Sequence, residues 1–164
     1  MVERTLSPIM CLAATAALEH ATAILADALL SSEEVRGLFT DYQIRDLVLW
    51  HALEEAEHRA VAFDVYQAVG GPHWLRAWTL RVAVVTTALD LASGTITSLL
   101  LDPEARDLRA LWRSVRNLRR SPFAGLGLGR ALVDYTRRDF HPSDHGSPAL
   151  ADEWHRRLLA AAAH

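Results

Sequence analysis

Residues 41–69 contain neither proline nor glycine, and the stretch ends at "GGP", residues 70–72. Within it Ile44, Leu47, Val48, His51, Glu55, His58, Ala62 and Val65 follow one another at three- and four-residue spacing, so they share one face of a long helix. That face is apolar, then polar for two turns, then apolar again. A helix of this length has to bury its stripe against other helices, because no stretch elsewhere alternates Val and Ile in the manner of a strand. An Ala/Leu-rich helix is expected over 7–30. "SSEE" at 31–34 should break it and start another. A third long helix is expected over 73–101, followed by a shorter basic one from "DPEA" at 102–105. "SPFAGLGLG" at 121–129 reads as a hinge and "HPSDHGSP" at 141–148 as a loop. A short helix lies between them, and "ALADEWHRRLLAAAA" closes the chain. The fold class expected is all-α, a helical bundle forming one domain over 1–164.

Charge and composition narrow the partners. Seventeen Lys and Arg against twenty Asp and Glu leave a net charge of -3, with no basic footprint for nucleic acid. The single cysteine, Cys11, excludes an intrachain disulfide and suits a reducing cytoplasm, the localisation expected. The N-terminus carries Glu3 and Arg4 ahead of an alanine-rich stretch and is a poor match to a signal peptide. Residues 77–101 are long enough to span a bilayer, but Arg81 and Asp90 interrupt them. Each such charge costs about 2.5–3.5 kcal/mol at membrane depth. The segment is therefore read as the central helix of a soluble bundle, with a membrane-associated protein using residues 77–101 as the weaker alternative.

The chemistry sits in "WHALEEAEHRAVAFDVY", residues 50–66. Burying His51, Glu55 and His58 on an apolar face is costly unless something compensates their charge and lone pairs. A metal ion does so, since imidazole nitrogen and carboxylate oxygen suit iron, manganese or zinc. Glu55 and His58 form the Glu-x-x-His pair used by carboxylate-bridged dimetal bundles. The zinc-protease pattern His-Glu-x-x-His is absent, because Ala52 follows His51. Glu54 flanks the face and Glu57 points away from it. Glu19, on the first helix, has Leu12, Thr15, Ala16, Thr22, Ala23 and Ala26 as same-face neighbours, none of which neutralises its charge. His20 lies about 100° around that helix and would face a neighbour or support the site from outside. The competing reading makes these residues a solvated charged stripe.

"LAATAALEHATAILADALL" followed by "WHALEEAEHRAVAFDVYQAVGG", with a later "FHP" at 140–142, resembles the bacterial predicted metal-dependent hydrolases, a ferritin-like family. The order of a lone Glu before His-x-x-x-Glu-x-x-His is also similar to the di-iron arylamine N-oxygenases. The resemblance implies Glu19, His51, Glu55 and His58 as metal ligands at a dinuclear, iron-type site. It implies Glu54 and Asp64 as residues that hold ligand histidines in one tautomer. It also implies two further helices upstream bearing a second Glu and a second Glu-x-x-His, so this chain corresponds to the C-terminal half of the family fold and supplies half a ligand set.

Three completions follow. A homodimer could donate the same residues from both copies about a twofold axis. The chain could complete the site internally through Asp90 or the Asp152/His155 pair, although both read better as ordinary helix residues. A separate N-terminal half could supply the rest. "HPSDH", with His141, Asp144 and His145, reads as a polar turn rather than a second metal site. The functions expected are a metal-dependent hydrolase or a di-iron oxidoreductase acting on an unknown small molecule. The alternative is a non-catalytic helical dimerisation or interaction module with a degenerate half-site.

Overall fold

The computed structural model describes residues 7–101, 112, 113, 116, 117, 121–125 and 127–162, and no strand occurs among them. The α-helices with defined bounds among the described residues are, in order, α1 Pro8–Ser31, α2 Glu33–Arg36, α3 Tyr42–His58, α4 Val61–Ala68, α5 His73–Leu101, α6 Leu128–Asp134 and α7 Pro148–Ala162. Short 3-10 turns at Pro122–Gly125 and Pro142–Asp144 precede α6 and α7. The all-α expectation therefore holds. The basic helix expected from 102 lies largely outside the described residues.

Helix α1 is the axis of the fold and packs on α3, α4, α5, α6 and α7. Its alanines make this possible: Ala13, Ala16, Ala17, Ala23, Ala26 and Ala28 are all buried, and their small side chains let several helices approach one rod. Leu29 and Leu30 close one end of the core against Leu49, Ala52, Leu53 and Trp154. The last carbonyls of α1, which have no partner within the helix, are satisfied from outside. Arg36 Nη1 donates to the Leu29 and Leu30 carbonyls at 3.0 and 2.9 Å, and Trp154 Nε1 donates to Leu30 O at 2.9 Å.

The "SSEE" break forms as expected. Ser32 ends α1 and caps α2, its hydroxyl accepting from Val35 N at 3.3 Å. The "GGP" stop also holds. Gly70 has φ +75°, and a Cβ at Gly71 would overlap the ring of Tyr66, whose hydroxyl donates to Pro72 O.

Two expectations are corrected. The 41–69 helix is not continuous, because Arg59 and Ala60 interrupt it between α3 and α4. The break is held by tertiary contacts invisible in local sequence. Arg59 turns its guanidinium onto Asp27 in a bidentate pair at 2.8 and 2.9 Å and donates to His145 O at 2.8 Å. Glu19 of α1 accepts from the Ala62 amide at 3.0 Å, capping the new helix start.

The second correction concerns α5. Leu75, Arg76, Ala77 and Leu80 are buried, but beyond Arg81 nearly every residue is exposed, Asp90 included. It is not the central helix of the described bundle; α1 is. Both α1 and α5 are long and apolar enough to cross a membrane by length and composition, and the most apolar window of α5 is wholly unburied.

Candidate metal centre

Glu19, Trp50, His51, Glu54, Glu55 and His58 line one open cavity of about 300 Å³ on the α1/α3 side of the molecule. The antiparallel packing of α1 and α3 positions them: Glu19 lies opposite the start of α4, and Thr22 lies opposite Glu55. Thr22 Oγ1 donates to Glu55 Oε2 at 2.5 Å. The other carboxylate oxygen of Glu55 lies 3.6 Å from His51 Nε2, one turn earlier on the same helix. One oxygen of Glu19 is engaged by the Ala62 amide, leaving the second free.

The burial of this face differs from the sequence reading. The residues α3 buries are Leu49, Ala52, Leu53 and Ala56. Ile44 and Leu47 are exposed, as are His51 and His58, while Glu54 and Glu55 are half-buried. The His51 side chain is 66% exposed and that of Glu55 25%. The mixed face is thus the rim of the single chain rather than its core. Leu49, Ala52, Leu53 and Ala56 form the smaller, wholly apolar stripe, which fits against alanine-lined α1 at no polar cost.

Glu19 likewise is neither expelled nor left uncompensated, because the positive end of α4 receives it. Asp64 does orient a histidine, but that histidine is His141 (Nε2 to Oδ1, 2.9 Å), not His51 or His58. The second nitrogen of His141 accepts from Ser143 N, and Asp144 accepts from His141 N, so "HPSDH" is a capped polar turn. Neither proposed internal donor reaches the cavity: Asp90 sits on exposed α5, and His155 faces Glu57 at 3.4 Å. Glu57 points away from the site, as its place on the helix implied.

The donor chemistry fits a metal of the iron, manganese or zinc type on one side only. Three carboxylates (Glu19, Glu54 and Glu55) and two imidazoles (His51 and His58) line a common space. Among the described residues, however, no group of three His, Cys, Asp or Glu side chains converges closely enough to hold an ion alone. Sequence reasoning missed Thr22 and Trp50. Thr22 was legible, since it lies three residues beyond Glu19 on the same helical face; Trp50 became part of the site only through the packing of α3.

A profile of the predicted metal-dependent hydrolases matches residues 1–146, which include every one of these donors. The chain belongs to that family. No curated protein and no solved structure matches it significantly. For this member of the predicted metal-dependent hydrolases, the family description implies a metal ion.

The buried polar residues of this hydrolase-family chain lie elsewhere. His20 is 2% exposed, stacks on Tyr135 at 4.6 Å and donates through Nε2 to Ala131 O at 3.1 Å. Burial lowers its pKa to about 4, so it is neutral at ordinary pH. Arg76, also 2% exposed, lies over the rings of Phe63 and Tyr135 at 4.8 and 4.9 Å and donates to Arg137 O at 2.6 Å. Desolvation lowers the Arg76 pKa and raises that of the Tyr135 phenol, which has no hydrogen-bond partner among the described residues. His20 therefore supports the bundle behind the site rather than the metal face.

Proposed function

We propose that this chain is a metal-dependent enzyme whose dinuclear, iron-type site uses Glu19, His51, Glu55 and His58 as ligands and is closed by a second copy of the chain. The observation that carries the reading is the single cavity lined by all four donors and by Glu54, from two adjacent helices. A bound metal would supply Lewis-acid activation for hydrolysis or, if redox-active, electrons for oxidation by dioxygen. The chain's own contribution is to hold donors at fixed positions. Thr22 pins one oxygen of Glu55, leaving the other toward His51, and the α4 amide pins one oxygen of Glu19, leaving the other for the cavity. Trp50 adds an exposed aromatic ring to the cavity rim. Ile44 and Leu47, exposed on the same face, supply apolar surface for an isologous partner. Cytoplasmic location belongs to the same reading.

The test is a metal-to-protein ratio measured with native mass after anaerobic iron loading. About two metal ions per pair of chains is expected, with loss of metal in His58→Ala. Oxygen uptake with a coloured intermediate on admitting air would select oxidation over hydrolysis. A monomer with negligible metal would instead support a non-catalytic interaction module. That no three donors converge among the described residues favours that second reading.

A further inference from the structure

A second cavity, of about 290 Å³, shares a wall with the donor cavity: His51 and Glu55 line both. We propose that it receives the apolar body of an uncharged small-molecule substrate, whose polar group meets His51 and Glu55 at the edge of the metal centre. The inference rests on the reading of those residues as metal ligands.

Three observations select the ligand class. Leu25, Leu29, Val35, Phe39, Val48 and Phe123 present only carbon and hydrogen to the space. Its polar side chains are Thr22, His51 and Glu55, and they form one cluster, with Thr22 bonded to Glu55 and His51 beside it. The cavity therefore has one polar pole, and the rest is dry surface. Among the described residues no Lys or Arg lines it, and the Glu55 carboxylate at its polar pole repels an anionic head. A cavity of about 150 Å³ accepts benzene, so this one has room for roughly two rings or an equivalent alkyl chain. Leu25 is half exposed at the rim, which leaves an entrance among the described residues. The shared wall decides against a mere packing gap, because a ligand seated here has its polar end beside the metal donors.

The probe is the fluorescent dye 2-naphthol, an uncharged two-ring molecule with one polar group, compared with its sulfonated analogue 2-naphthalenesulfonate. The full chain should bind the uncharged dye saturably at one site, about tenfold more tightly than the anionic one. Val48→Trp fills the cavity and should abolish the saturable site while leaving the metal-to-protein ratio unchanged. Should that variant not fold, Leu25→Trp at the exposed rim makes the same test. His58→Ala, whose side chain lines only the donor cavity, should do the reverse and lose metal while keeping the dye. Dye affinity that survives both tryptophan variants, equal affinity for the sulfonated dye, or a dimer that excludes both dyes would overturn the proposal. The last outcome would assign the cavity to a second copy. A wild type that binds dye but no metal would overturn the metal reading alone and leave the ligand class standing.

Discussion

His20 and the pair His51/His58 invert what their sequence surroundings suggest. His20 stands on an alanine-rich helix beside Glu19, yet it is the sealed histidine, stacked on Tyr135 and bonded to Ala131 O. His51 and His58 sit on a stripe flanked by Ile44, Leu47 and Val65, yet they are exposed. One region buries its polar groups and satisfies or stacks them. The other leaves its donors open, half-engaged by Thr22 and the Ala62 amide. Burial of a polar group marks structural work in the first region, whereas the second holds partly exposed polar groups around an open cavity, where the proposed metal chemistry would lie.

The sharpest way to break this contrast is at Arg76. Arg76→Ala removes a buried side chain stacked on two rings and bonded to Arg137 O, and should cost on the order of 3 kcal/mol in urea unfolding. Arg76→Met keeps the volume and removes the buried charge, so its cost should be well under half of that. Equal losses would show that the cation itself, not its packing, holds the cluster.

His20 tests the same region by pH. Folded, it protonates only near pH 4; unfolded, it does so at its ordinary 6.5. Between those values the unfolded chain holds more protons, so the stability is fully present above 6.5 and lost as pH falls toward 4. The loss should be on the order of 3 kcal/mol. In His20→Gln, which retains a donor for Ala131 O, chemical denaturation across that window should show a flatter dependence. An unchanged slope would mean that His20 is not neutral in the folded protein.

The open region should respond more weakly in stability and more strongly in metal content. Glu19→Ala removes the cap of α4 and should cost about 1 kcal/mol in the metal-free protein. Glu19→Gln keeps an acceptor for the Ala62 amide and should cost less, while both lose metal. His58→Ala should change metal-free stability by no more than about 0.5 kcal/mol, because the residue is exposed. It should erase any rise in melting temperature that iron produces in the wild type. A large loss in the metal-free His58→Ala protein would place His58 with the structural histidine.

Much of this was legible in the residues. The breakers at 31–34 and 70–72 act where their chemistry predicts, since Ser32 caps a helix and Gly70 takes a positive φ, both local properties. The expected donors were named from helical spacing and from the family's motifs, and Glu19, His51, Glu55 and His58 do line one cavity. The break at Arg59–Ala60 was not legible, because it is maintained by Asp27, His145 and Glu19 from distant parts of the chain. Nor was the partner of Asp64, which arrives from residue 141.

The sequence by itself determined that the chain is helical, where most helices stop, and which side chains could carry metal chemistry. Periodicity and capping act within a few turns of one segment, so they are written locally. Only the tertiary structure decided which face of α3 is buried. That choice compares two stripes of the same helix against one neighbour, and α1, lined with alanine, takes the small apolar stripe at the lower desolvation cost. The histidine–glutamate face is left turned outward, beside an apolar cavity, with its polar groups only partly engaged.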